Sequence, residues 1–103
     1  MGHKVIITPR AMADLRAIVE FVAADSSMRA QSLGDELLDR ALQVGEFPQA
    51  GRKIPELADA SLREVIHGAY RIVYEISANI GVIYILRFWH AARGKPEIES
   101  QRI

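Results

Sequence analysis

The sequence predicts an α+β domain in which an N-terminal strand and an α-helical hairpin precede a small twisted antiparallel sheet, in the order β-α-α-β-β-β. Two observations on the apolar pattern predict this class. Apolar residues recur with a helical period in the first half of the chain, and the period changes to two after about residue 60. A length of 103 residues without an internal repeat or a long linker accommodates one domain.

The first strand and the first helix meet at a Thr-Pro pair. Residues 4–8, KVIIT, form a β-branched run that predicts a short strand. Thr8 can accept hydrogen bonds from the first free N–H groups of a helix, and Pro9 suits the first helical position. Apolar side chains at i, i+3 and i+4 spacings continue as far as Val22. We therefore expect a helix over about residues 9–24.

The second helix follows a polar break. Residues 25–27, DSS, end the first helix and cap a second, which is expected over about residues 28–45. Gly34 inside this helix costs stability unless a neighbouring helix approaches closely at that point. Gly45 and Pro48 end it. Two amphipathic helices joined by so short a turn predict an antiparallel hairpin.

Strand patterns fill the second half of the chain. Residues 47–60 contain two prolines and a glycine and predict a loop. Three alternating runs follow it, at residues 61–67, 70–76 and 82–88, and the connections between them are short enough for hairpins. These runs predict an antiparallel meander, with the helical hairpin covering one face.

The C-terminal tail, residues 94–103, has no clear periodicity. A short helix, an edge strand and a flexible segment that contacts a partner all stay open for it.

Charge is balanced overall but not along the chain. Thirteen basic and thirteen acidic residues give a net charge of zero, which argues against a basic protein that coats nucleic acid. Residues 61–103 carry six basic and four acidic groups, together with His67 and His90. Any anionic partner is therefore expected to meet the C-terminal half.

Several site classes are absent from the sequence. The chain has no cysteine, which excludes a disulfide scaffold, a cysteine-ligated zinc site and a thiol nucleophile, and which fits a reducing cytoplasm. There is no P-loop, no GxGxxG and no HExxH, and three scattered histidines do not form a zinc site. No apolar run reaches the roughly 18 residues of a membrane span. The sequence predicts no metal, no cofactor and no membrane partner.

A series of short motifs runs through nearly the whole chain. The motifs are Ala13-Asp14-Leu15 with Ile18, Pro48 with Gly51-Arg52, Pro55-Glu56, Arg63-Glu64-Val65, Tyr70-Arg71-Ile72-Val73-Tyr74, and Ile85-Leu86 with His90 and Arg93. In this order and at these spacings, the series resembles the RelE/ParE superfamily of bacterial toxins from type II toxin–antitoxin modules. It is more similar to the ParE-like branch than to the RelE-like branch.

The resemblance implies a compact cytoplasmic toxin, a cognate antitoxin that wraps and neutralises it, and contact with operator DNA only through that antitoxin. ParE-like members act on DNA gyrase, whereas RelE-like members enter the ribosome and cleave mRNA without a metal. The first hypothesis is therefore poisoning of gyrase, and the second is ribosome-dependent cleavage of mRNA. A third is a detoxified relative that only forms the antitoxin complex.

Under the ribonuclease hypothesis, the C-terminal half supplies the catalytic groups. Such an enzyme needs an acid, a base and cations on the scissile phosphate. Arg63, Arg71 and Arg87 occupy the three strands of the meander and could form a cationic patch if the registers align. The matching arginine in ribonuclease members lies at the catalytic face, which favours Arg71. His90 could act as the acid or the base.

Under the gyrase hypothesis, the same region is a binding surface. The candidate target-binding residues are Arg71, Arg87, Trp89, His90 and Arg93. The lysine pair typical of RelE-like sites has no clear match here, which favours this hypothesis.

A purely structural interpretation stands beside both hypotheses. In it, Arg63 and Arg71 pair with Glu64 and Glu75 across neighbouring strands. His90 caps the end of the last strand and Trp89 belongs to the core. Glu56 is expected to form a cap or to pair with Arg52.

Overall fold

A five-stranded sheet and a helical hairpin form the two main layers of the protein. The computed structural model describes residues 2–101. The strands are β1 (Lys4–Ile7), β2 (Arg52–Lys53), β3 (Leu62–His67), β4 (Tyr70–Ser77) and β5 (Val82–His90), and the helices are α1 (Pro9–Ala23) and α2 (Ser27–Gln43). The order of strands across the sheet is β1-β5-β4-β3-β2.

The sheet contains the predicted meander and adds a strand at each edge. Strands β3, β4 and β5 pair antiparallel as expected. Strand β1 pairs in parallel with β5, so the sheet is mixed rather than wholly antiparallel. Strand β2 pairs with β3 inside the segment that was predicted to be a loop, and its two residues are too few to show an alternating pattern.

Side-chain caps begin both helices where the sequence predicts them. The Thr8 hydroxyl accepts a hydrogen bond from the Ala11 N–H at 3.2 Å and donates one to the Ile85 carbonyl at 2.8 Å. The same side chain thus starts α1 and fixes it to β5. Ser26 caps α2 by accepting from the Arg29 N–H.

Two glycines show why the chain needs a residue without a side chain. A Cβ at Gly34 would lie 2.9 Å from Val19 Cγ2, so α1 approaches α2 closely at this glycine. Gly68, in the two-residue turn between β3 and β4, has a φ of 58°. Glycine adopts this left-handed conformation without steric cost.

Each face of the sheet buries its own apolar cluster. The face beneath the helices carries Val65, Ile72, Tyr74, Ile83, Ile85 and Phe88, which pack against α1 and α2. The opposite face, called the distal face below, carries Leu62, Val73 and Leu86 with Ile54 from the preceding loop. The residues of the tail that the structure describes, 94–101, lie across the distal face. The rest of the predicted tail, residues 102 and 103, lies outside the described residues.

A β-bulge in β5 determines which side chains reach the distal face. Val73 is opposite Arg87, whereas the next residue of β4, Tyr74, is opposite Ile85. Leu86 is therefore the extra residue. Both Leu86 and Arg87 point to the distal face, an arrangement that strict alternation would not allow.

Candidate functional site

The turn between β3 and β4 separates the predicted arginines. His67 is opposite Tyr70 across this turn, which places Arg63 opposite Tyr74 and Ile66 opposite Arg71. Arg63 therefore lies on the helix-facing side of the sheet, and Arg71 lies on the distal face. The register therefore does not meet the condition under which Arg63, Arg71 and Arg87 could form one cationic patch. A two-residue hairpin turn already implies this parity, so the sequence contained the signal.

Arg63 makes a structural contact at the edge of the sheet. Its Nη1 donates to the Gly51 carbonyl at 2.8 Å and so connects β3 to the segment before β2. Its Nε is buried and has no hydrogen-bond partner among the described residues. On the other side of β3, Lys53 of β2 is directly opposite Arg63. Arg63 therefore faces another cation across this edge and not the predicted glutamate.

Carboxylates surround Arg71 on the distal face. Its Nε donates to Glu64 Oε1 at 2.6 Å, and its two terminal nitrogens donate to Glu56 at 2.9 and 2.7 Å. Nη1 also donates to the Gly94 carbonyl of the tail at 2.8 Å. Glu64 in turn accepts from Arg52 Nε at 2.7 Å. The predicted pair of Arg71 with Glu64 is confirmed, whereas Glu56 pairs with Arg71 and not with Arg52 as expected.

The ion pair between Arg71 and Glu56 shifts the pKa of both side chains. The hydrogen bonds from Arg71 lower the pKa of Glu56 from 4.5 to about 2. The hydrogen bonds that Arg71 donates to Glu56, opposed by burial and aided by Glu64, raise the pKa of Arg71 further above its ordinary value. With Arg52, the cluster holds two cations and two carboxylates, so it has no net charge at neutral pH.

Arg87 is engaged just as fully. It forms a bidentate pair with Asp14 of α1, with Nε to Oδ2 at 2.7 Å and Nη2 to Oδ1 at 2.9 Å. Its Nη1 donates to the Glu97 carbonyl of the tail at 2.7 Å. Asp14 also accepts from the Phe88 N–H at 3.1 Å. Bidentate geometry of this kind is the strongest form of the arginine–carboxylate pair.

Trp89 is a core residue at the end of β5, as its position suggested. Only 2% of it is exposed, and its indole N–H donates to the Gly94 carbonyl at 3.0 Å. The Arg93 guanidinium carbon lies 3.7 Å from the centre of the Trp89 ring, and that of Arg87 lies 4.8 Å away. Trp89 therefore supports the exposed Arg93 through a cation–π contact.

His90 has the capping position that the structural interpretation gave it. Its Nδ1 accepts from the Ala92 N–H at 3.1 Å. Its ring meets the Tyr70 ring edge to face, with the centres 5.2 Å apart. Because Tyr70 is its partner across the sheet and Trp89 points to the distal face, His90 points to the opposite side from Arg71.

The tail supplies a contact that sequence reasoning missed. Ser100 Oγ donates to Glu75 Oε2 at 2.6 Å, and the Gln101 N–H donates to Glu75 Oε1 at 2.9 Å. Glu75 is fully buried, so these bonds help to compensate its desolvation. Glu75 was expected to pair with an arginine of a neighbouring strand. No local pattern in residues 94–101 indicates that they cover it.

No metal site accompanies these groups in the part of the chain described, residues 2–101, where no three histidine or acidic side chains converge on one point. Within the same residues, no helix is both long and apolar enough to cross a membrane.

Known proteins share both the sequence pattern and the fold. A family model described as the ParE toxin of the type II toxin–antitoxin system parDE matches residues 5–94. Toxin RelE2 of Caulobacter vibrioides is 38% identical over 91 residues, which cover 87% of this chain and 97% of the relative.

Two solved structures have the same fold at low sequence identity. One is from the chromosomal ParDE system of P. aeruginosa, with a TM-score of 0.71, 18% identity, and coverage of 85% of this chain and 95% of the other. The second is the RelBE2 toxin–antitoxin complex of Mycobacterium tuberculosis, with a TM-score of 0.68, 20% identity, and coverage of 87% and 99%. The family match spans almost the entire chain, and the chain therefore belongs to the ParE toxin family and is the toxin of a type II toxin–antitoxin system.

Proposed function

We propose that this toxin acts in the cytoplasm by binding and poisoning DNA gyrase, does not cleave RNA, and is neutralised by a cognate antitoxin. The observation that carries the proposal is the engagement of Arg71, the favoured catalytic arginine, by Glu64 and Glu56.

A ribonuclease needs arginines that are free to receive a phosphate. Arg71 and Arg87 each form a carboxylate pair and also donate to a tail carbonyl. A phosphate could reach the terminal nitrogens of Arg71 only by displacing Glu56, because Glu56 accepts hydrogen bonds from both of them. The distal face therefore favours a structural role for these arginines over phosphate binding.

The fold also does not bring together the groups that acid–base catalysis would need. His90 points to the helix-facing side of the sheet, whereas Arg71 and Arg87 lie on the distal face. A general acid or base must lie within hydrogen-bonding reach of the same substrate that the cations hold. The sheet itself separates these groups, so the predicted set of Arg63, Arg71, Arg87 and His90 does not meet at one point.

The exposed groups at the end of β5 suit a protein target. His90 and Arg93 are both exposed, and the buried Trp89 supports Arg93. Arginine and aromatic side chains are enriched among the residues that dominate protein–protein binding. The match to the ParE family model is a further support for gyrase as that target.

The second candidate function is cleavage of ribosome-bound mRNA, because the curated relative has the name Toxin RelE2. Two labelling measurements separate the candidates. The toxin is induced without its antitoxin, and DNA synthesis and protein synthesis are followed separately by pulse labelling. An early fall in DNA synthesis is the expected result, and purified toxin should then inhibit supercoiling by gyrase.

An early fall in protein synthesis, with cleavage of mRNA on purified ribosomes, would overturn the proposal. Normal growth of cells with verified amounts of folded toxin would indicate the detoxified alternative. Co-expression of the antitoxin is the control, because it should restore growth in either toxic case.

A further inference from the structure

A groove of about 430 Å³ lies between α1 and the end of β5. Ile18 and Phe88 form its apolar floor. Volumes of this order, with mainly apolar walls and a few polar groups, are typical of binding sites. The lining of the groove includes Asp14, the partner of Arg87, but none of the four residues of the cluster around Arg71.

Phe21 gives the groove an exposed aromatic wall. It lies near the C-terminal end of α1, and 81% of it is exposed. Removing an aromatic side chain from water is strongly favourable, so an exposed phenylalanine beside a concave apolar surface indicates a partner that covers it.

The polar rim of the groove offers mainly hydrogen-bond donors. Arg93 takes part in no ion pair within residues 2–101, and its stacking on Trp89 holds the guanidinium in place. His90 uses Nδ1 as an acceptor, so Nε2 is the nitrogen that carries the proton. The carboxylate of the groove, Asp14, is already bound to Arg87 and to the Phe88 N–H. The group that complements this rim is an acceptor, and a carboxylate fits it best.

We infer that this groove receives an apolar side chain of the target protein, and that Arg93, with His90 beside it, binds a carboxylate next to that side chain. The inference rests on the proposed function, because it takes gyrase as the target. Nucleic acid fits the groove less well, since the floor is apolar and, among residues 2–101, Arg93 is the single arginine or lysine in the lining, whereas phosphate backbones require a track of several cations.

The experiment compares two groove variants with two matched controls. Phe21→Ser removes the exposed aromatic wall, and Phe47→Ser removes another phenylalanine, 71% exposed, that lies before β2 and outside the groove. Arg93→Glu reverses the charge of the rim, and Lys95→Glu makes the same change of charge two residues along the chain. Arg93→Lys keeps the charge but not the planar guanidinium.

The measurement is the dissociation constant of each purified toxin for the gyrase holoenzyme of the host bacterium, with the melting temperature and the affinity for the antitoxin measured in parallel. Phe21→Ser and Arg93→Glu should each weaken gyrase binding about tenfold or more, while both controls stay within about twofold of the wild type. Arg93→Lys should retain part of the binding that Arg93→Glu loses.

Three results would overturn the inference, and they differ in whether the proposed gyrase function still holds. If the wild type binds gyrase and the groove variants bind equally well, the groove is not the contact, but the gyrase function stands. If the groove variants lose affinity for the antitoxin alone, the occupant is the antitoxin. If the wild type itself does not bind gyrase, the proposed function fails together with the inference.

Discussion

Glu64 and Arg71 lie diagonally opposite on β3 and β4, with Glu64 Oε1 and Arg71 Nε 2.6 Å apart and the side chains 0% and 6% exposed. Neither charge is accessible to solvent, so each depends on its ion-pair partners for compensation. The pair belongs to the larger cluster with Arg52 and Glu56, and it fixes the relative position of two neighbouring strands.

Removing one member of this pair should destabilise the toxin strongly. Glu64→Ala leaves Arg71 Nε buried without its acceptor, while Glu56 still binds the terminal nitrogens, and the expected loss is about 1.5–3 kcal/mol in the free energy of unfolding. Urea denaturation measures it. Glu36→Ala is the control, because Glu36 forms an exposed pair with His67 and should cost at most about 1 kcal/mol. Equal losses of stability in Glu64→Ala and Glu36→Ala would contradict the expectation that the buried pair contributes more than the exposed pair.

Glu56 should make the stability of the toxin depend on pH in acid. Its pKa is about 2 in the folded protein, below the ordinary 4.5, so the unfolded chain binds the proton first as the pH falls. The contribution of Glu56 is therefore complete above pH 4.5 and is lost progressively between pH 4.5 and about 2.

Melting temperatures of the wild type and of Glu56→Gln across this pH range test the expectation. The difference between the two proteins should shrink as the pH falls towards 2, whereas Glu20→Gln, an exposed change on α1, should follow the wild type. A difference that stays constant with pH would contradict the assignment to Glu56.

Gly51 should tolerate no side chain. A Cβ at this position would lie 2.2 Å from the Tyr74 hydroxyl and 2.8 Å from the Glu64 carbonyl. Gly51→Ala must therefore displace the ring that holds the segment before β2, where the Tyr74 hydroxyl accepts from the Gly51 N–H and donates to the Pro48 carbonyl. The expected loss is about 1–3 kcal/mol of stability.

A double-mutant cycle with Tyr74→Phe identifies the clash. Removing the hydroxyl makes room for the new methyl group, so Gly51→Ala should cost less in the Tyr74→Phe background, with a coupling of about 1 kcal/mol. Strictly additive losses would mean that the Tyr74 hydroxyl does not meet the methyl group.

Ser100 should stabilise the toxin although it lies near the end of the chain. Its hydroxyl donates to the buried Glu75 carboxylate, and hydrogen bonds to charged groups contribute about 1.5–3 kcal/mol. Ser100→Ala should lower the free energy of unfolding by an amount near this range. The Gln101 N–H still donates to Glu75 in this variant, so the carboxylate keeps that hydrogen bond. Ser32→Ala, on the exposed side of α2, is the control and should change the stability by less than about 0.5 kcal/mol. No difference between the two variants would contradict this role of the tail.

Local patterns predicted most of the fold. Both helices begin at their expected caps, and the three strands of the meander lie where the alternation places them. The parallel pairing of β1 with β5 could not be predicted in this way, because it joins residues about 78 positions apart and depends on how the helices return the chain.

The arrangement of the candidate site depended on register and was harder to predict. The pairing of Arg71 with Glu64 was foreseen as a cross-strand contact, and the hairpin turn contained the information that places Arg63 on the other face. The bulge at Leu86 could not be foreseen, and it brings Arg87 to the distal face beside Val73. The tail carbonyls that bind Arg71 and Arg87 carry no side-chain signal at all.

The tail that closes the distal face is synthesised after every strand that it covers. Until residues 94–101 have been synthesised, Glu75 has no Ser100 hydroxyl to bind, and the indole of Trp89 has no Gly94 carbonyl. Completion of this face therefore follows synthesis of all five strands, at a translation rate of about 5–20 residues per second. A chain cut before residue 94 would lack both of these hydrogen bonds.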